Sequence, residues 1–150
     1  MPFQVTLMLA DAAQAVDNKL YVLGGGWSIT GPAPVPSAIA LHLKVPWDQS
    51  NVQHHLRLEL VDSDGGPVMV PGEAGEEPLR IESDFEVGRP PGLAAGTPID
   101  VSLAISMAPL PLEPARRYEW RLTINEESDE NWRLAFSTRP APPGWQSPTA

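Results

Sequence analysis

The feature that most constrains this chain is a period of two. Apolar and polar residues alternate through most of its length, and stripes at helical spacing are nearly absent. Successive side chains of a strand point to opposite faces, so this alternation marks half-buried strands and an all-β fold. Phe3, Val5, Leu7 and Leu9 form the first inward series. An Ala-rich link follows over 10–16, with a helical turn as one option, and Asp17-Asn18 reads as a turn. The stretch 19–29 is a second strand interrupted by Gly24-Gly25-Gly26, where a bulge or a close backbone crossing is expected. A phosphate-gripping loop there would need a helix and a Lys to follow, and Pro32, Pro34 and Pro36 follow instead.

Ile39, Leu41, Leu43 and Val45 make a third strand and Leu56, Leu58 and Leu60 a fourth, expected to pair as a hairpin across a turn at 47–51. Asp62-Ser63-Asp64-Gly65-Gly66 is a turn into a short edge strand, 68–70, and 72–78 is an acidic loop. Leu79, Ile81, Phe85 and Val87 alternate with Arg80, Glu82, Asp84 and Glu86, so one face of that strand is charged and meets water. Ile99, Val101, Leu103, Ile105 and Met107 point inward from the next strand, and Asp100, Ser102, Ala104 and Ser106 point outward. Tyr118, Trp120, Leu122 and Ile124 pair with Trp132, Leu134 and Phe136 in a closing hairpin.

Eight or nine short strands separated by turn signals describe a two-sheet antiparallel Greek-key sandwich. Immunoglobulin-like, C2-like and jelly-roll forms all satisfy the pattern. The spacing from Leu112 and Pro114 to Tyr118 is that of a tyrosine corner, although the paired cysteines of antibody domains are missing. Residues 1–139 form the sandwich and 140–150 a Pro-rich tail, expected to dock through Trp145.

The 150 residues hold no cysteine, which removes disulfides and thiolate metal sites and makes the cytoplasm the expected compartment. Residues 5–10 are fairly apolar, but the first basic residue is Lys19, which is wrong for a secretory leader. No apolar run is long enough to cross a membrane as a helix. Ten Lys and Arg against 19 Asp and Glu give a formal charge of −9, and the lone basic pair, Arg116-Arg117, forms no patch. Nucleic acid and anionic membranes are therefore not expected partners.

Leu9-Ala10-Asp11, Asp17-Asn18-Lys19-Leu20, Gly24-Gly25 and Trp27, followed by the alternating body, resemble a family of small uncharacterised bacterial proteins common in actinobacteria. The likeness runs from about residue 1 to 140. It implies no activity and carries no functional residues across. Eight arginines against two lysines suit the GC-rich genomes of such organisms.

Candidate chemistry is sparse. His54 shares the phase of Leu56 and belongs at the inner rim, whereas His42 and His55 are expected to face each other across the hairpin. Lys44, Gln53 and Arg57 are poor company for a metal there, so no metal or cofactor is expected. Asp62-x-Asp64-Gly65 starts like a calcium loop but lacks its later bidentate Glu. No Gly-x-Ser-x-Gly elbow marks a nucleophile. Of the five tryptophans, Trp120 and Trp132 have inward phase and Trp27 can cover the bare backbone after the glycines, which leaves Trp47 at a turn and Trp145 in the tail as candidate partner contacts. The reading that follows is a noncatalytic binding or assembly module whose partner is itself or another protein. One alternative is a hydrolase whose acidic loops, 72–78 and 126–130, meet at one sandwich end, and another is a lectin-like carbohydrate binder using Trp47.

Overall fold

The computed structural model describes residues 3–146. Eleven strands alternate with turns: β1 (Gln4–Val16), β2 (Lys19–Gly25), β3 (Ile29–Thr30), β4 (Ser37–Val45), β5 (His54–Asp62), β6 (Met69–Gly72), β7 (Gly75–Pro78), β8 (Arg80–Phe85), β9 (Ile99–Met107), β10 (Arg117–Ile124) and β11 (Glu127–Thr138). One short 3-10 turn, Trp47–Gln49, joins β4 to β5. The strands form a four-stranded sheet in the order β2-β1-β4-β9 and a five-stranded sheet in the order β3-β11-β10-β5-β8, with β6 and β7 as a separate small hairpin.

The inward phase of each strand builds the core. Leu7 lies beside Leu41 and Leu41 beside Leu103 in the first sheet, while Leu58 pairs with Leu122 and Leu60 with Trp120 in the second. These rows interdigitate into one cluster in which Ile39, Leu41, Leu43, Leu56, Leu58, Leu60 and Trp120 are essentially solvent-free. Burying a Leu of this kind stabilises by about 1.5–3 kcal/mol relative to leaving it wet.

Strand order selects among the sandwich types. With β1-β4-β9 facing β11-β10-β5-β8, the strands occupy the A-B-E and G-F-C-C′ places of an immunoglobulin-type Greek key. The tyrosine corner belongs at the start of strand F, and here Tyr118 sits near the start of β10 with its hydroxyl accepting the Glu113 N–H at 2.9 Å. The closing β10–β11 hairpin is also present, with Tyr118 beside Phe136 and Trp120 beside Leu134. Its turn is the two residues Asn125-Glu126, and β11 is irregular near Trp132, since Arg121 pairs with Arg133 but Thr123 with Ser128.

Four expectations are corrected. β4 and β5 do not pair. Each turns its apolar side inward from a different sheet, and Pro46 with the 3-10 turn carries the chain across the gap between layers. Alternation is the same for an arch as for a hairpin, which is why the two look alike in sequence. Residues 10–16 are not a helical link, because β1 continues to Val16 and pairs with β2. The run 72–78 is not wholly loop, since β7 pairs with β6. Ser102, assigned to the solvent face, is buried by the β1–β2 hairpin.

Candidate functional site

The β1–β2 hairpin is the least conventional part of the molecule. Asp17 and Asn18 both have positive φ, 51° and 57°, which is the requirement of a two-residue type I′ turn, and Val16 pairs with Lys19 across it. The first half of β1, to Ala10, pairs with β4, and the second half pairs with β2. Beyond Ala10 the ribbon leaves the plane of its sheet and folds over the sheet's outer face. Ala13 packs there on Ala38 and Ala40, with Leu20 and Ala104 closing around them. Side chains of one carbon let two β layers approach closely, which is what the Ala-rich composition supplies.

The tip of this arm is fastened at the far edge of the sheet. The Asn18 side chain donates from Nδ2 to Asp100 O at 2.7 Å and accepts the Ser102 N–H at Oδ1 at 2.8 Å, while Ser102 Oγ donates to Asn18 O at 3.0 Å. The amide thus imitates a neighbouring strand and occupies part of the β9 edge. At the arm's base Gly24 has φ +59°, and a Cβ there would collide with the Asp11 side chain. The expected irregularity at the glycines is a single left-handed residue, since Ala12–Leu23 and Ala10–Gly25 pair in one register on either side of Gly24.

On its solvent side the arm is apolar. Tyr21 is 55% exposed and Leu23 71%, with Val16 also open. In a two-residue I′ hairpin the pair flanking the turn exchanges both backbone bonds, so Lys19, Tyr21 and Leu23 turn their N–H and C=O toward β1. Leu20 and Val22 turn theirs away from it, and nothing among the described residues pairs with them. Two other edges are guarded by charge. β8 carries Arg80, Glu82 and Asp84, and β11 carries Glu127, Asp129, Glu130, Arg133 and the bulge. From Lys19 to Leu23, β2 has one charge and no proline.

The polar candidates do not converge. His42 lies on the outer face of the four-stranded sheet and His55 on that of the five-stranded sheet, so the expected facing pair does not exist, because β4 and β5 belong to different sheets. His42 Nε2 and Lys44 Nζ both approach Asp100 Oδ1, at 3.0 and 3.1 Å. The Lys44 hydrogen bond foremost, with His42 adding, holds the Asp100 carboxyl below its ordinary value. His55 Nδ1 is 2.7 Å from Asp84 Oδ1, and that bond, seconded by Glu82, raises the imidazole pKa above its ordinary value. His54 is buried at the inner rim as expected. Its Nε2 donates to Gln49 O at 2.8 Å and its Nδ1 accepts from Asn125 Nδ2 at 2.9 Å, between the rings of Phe3 and Phe85. Among the described residues no group of three His, Asp or Glu side chains is placed to hold a metal.

The acidic runs 72–78 and 126–130 lie at opposite ends of β5. The first hairpin branches off near Asp62, and the second turn adjoins His55. Asp62 closes its own turn, its Oδ1 accepting the N–H groups of Asp64 and Gly66. Trp47 is half-buried and its ring face is covered by Arg89, whose guanidinium carbon lies 4.1 Å from the ring centre while its Nη2 donates to Trp47 O. Trp145 is half-buried in a turn where its N–H donates to Pro142 O, and 147–150 of the tail lie outside the described residues. A cavity of about 30 Å³ is walled by Trp27, Pro32, Pro34, Leu112, Trp120 and Phe136, and Trp27 buries its Nε1 without an acceptor. That space suits a solvent molecule and is far below the roughly 300 Å³ at which ligand pockets begin.

The arm was missed from sequence. Alanine carries little phase signal, and the Asp17-Asn18 turn could be read as a hairpin only once residues 12–16 were recognised as strand.

Residues 5–137 match the family of unknown function DUF6941, and the chain belongs to that family. No curated protein and no solved structure matches it.

Proposed function

We propose, from membership of a family without assigned activity, that this chain is a noncatalytic binding and assembly module of the bacterial cytoplasm that takes up an extended strand along β2. One observation carries the reading: the segment Lys19 to Leu23 pairs on one side only, is apolar on its solvent face, and lacks the charges and bulges that guard β8 and β11. Strand addition to such an edge supplies affinity through main-chain bonds and selectivity through alternate side chains.

A photo-crosslinking residue placed at Leu23, with a control at Asp84 on the charged face, tests this in cells. Adducts are expected from position 23 and not from 84. No adduct at 23, or the same adducts from both, would remove the reading.

A further inference from the structure

We infer that the strand β2 accepts is the β2 of a second copy, in an antiparallel pairing with its two-fold axis at Tyr21. This rests on the strand-addition reading above and names its partner.

Hydrogen-bond parity comes first. In the regular part of β2, Leu20 and Val22 are the residues whose backbone groups face away from β1. A symmetric antiparallel pair must place side chains of like phase opposite each other, so the axis passes through a residue. With the axis at Tyr21, Leu20 of one copy meets Val22 of the other, and the two exchange both N–H···O bonds, as does the symmetric pair. Every free backbone group between Lys19 and Leu23 is then satisfied. An axis at Val22 would oppose Leu20 to Gly24, whose left-handed φ of +59° takes it out of the extended strand.

Side chains fit the same register. On the solvent face Tyr21 meets its own copy, and Lys19 lays its aliphatic stem against Leu23, the most exposed large apolar side chain among the described residues. On the other face Leu20 and Val22 meet. Charge also favours self-association here. The chain carries −9, which opposes contact between copies over most of its surface, but residues 12–26 hold only Asp17 and Lys19 and are net neutral. No acidic residue from Lys19 to Leu23 is brought against another. Ribbon pairing of this length covers well under the roughly 800 Å² per partner of a standard interface, so the dimer is weak and depends on concentration.

The test uses the absence of any native thiol. In this register Tyr21 occupies a non-hydrogen-bonded pair, where Cα atoms approach to about 4.5 Å, within disulfide range. The full-length chain with Tyr21→Cys is oxidised at a concentration series and compared with Val16→Cys and with Leu23→Cys. Sedimentation of the wild type is run alongside, with Val22→Pro as the edge-blocking variant. The expected result is a wild-type dimer that dissociates on dilution and is lost in Val22→Pro, together with a disulfide dimer from position 21 at least tenfold faster than from 16 or 23. Equal rates at the three positions overturn the register. A wild type that stays monomeric throughout overturns self-pairing, and if the in-cell adducts at position 23 persist with another protein, strand addition itself survives. If Val22→Pro fails to fold, the cysteine rates still decide, because Tyr21 and Val16 are exposed and contribute nothing to the core.

Discussion

Two hairpins of this molecule share one turn and meet opposite fates. β1–β2 turns at Asp17-Asn18 and β10–β11 at Asn125-Glu126, and all four residues hold positive φ. In β10–β11 the ribbon lies inside the five-stranded sheet, with Trp120, Leu122 and Ile124 in the core and Glu119 and Arg121 in a solvent-side ion pair. In β1–β2 the ribbon's inner face is alanine against alanine, and its outer face is Tyr21 and Leu23 facing water. Turn chemistry is enough to make a hairpin. What the hairpin then does depends on the partners left for its two faces and its free edge, and only the arm leaves them unfilled.

The comparison breaks most visibly at matched truncations. Trp120→Ala in the central hairpin should destabilise by about 3–5 kcal/mol, as for buried aromatics, whereas Leu23→Ala in the arm should stay within about 0.5 kcal/mol in dilute monomer. Denaturant unfolding of both variants checks this. Similar losses would mean that the arm's outer face is part of the core.

The alanine layer gives the next effect. Ala13→Leu pushes a branched side chain into the contact with Ala38 and Ala40 and should cost about 1–3 kcal/mol through overpacking. Thermal unfolding beside Ala12→Leu, on the solvent side of the same strand, reads the difference. Asn18→Gly keeps the left-handed turn but removes the clip on β9, for about 0.5–1.5 kcal/mol per hydrogen bond lost. Its sharper readout is faster amide exchange at Ser102, with β10–β11 amides unchanged.

Much of this architecture could be read from alternation. The inward series of β4, β5, β9 and β10 holds in the structure, because large aliphatic residues at period two have one buried solution per strand. Alternation is blind to which sheet a strand joins, so the β4–β5 arch passed for a hairpin and placed His42 opposite His55. It is blind as well to alanine, whose small side chain suits core, surface and helix alike, and the arm is made of it. The clip from Asn18 to Ser102 spans 84 positions, and no local pattern encodes it. Exposed Tyr21 and Leu23 could be suspected only after β2 was known to be an edge.

The smallest effect is electrostatic and lies on the charged face that the arm lacks. The His55 pKa is raised by Asp84 and then Glu82, so the favourable pairing is fully present below the ordinary value of 6.5 and fades as pH rises through the raised folded value. Proton NMR should find the His55 midpoint above 6.5, and Asp84→Asn should bring it down further than Glu82→Gln does. The opposite order would mean that Nδ1 does not bind Asp84.

Amide hydrogen exchange along β2, resolved by residue and followed across protein concentration, tests the central claim most directly. Tyr21 and Leu23 N–H groups, bonded to β1, should be protected at every concentration. Those of Leu20 and Val22 should exchange freely in dilute protein and become protected together as concentration rises. Protection of Leu20 and Val22 already in the dilute monomer would show the edge to be closed, and free exchange of both at the highest concentration would show that no second copy binds there.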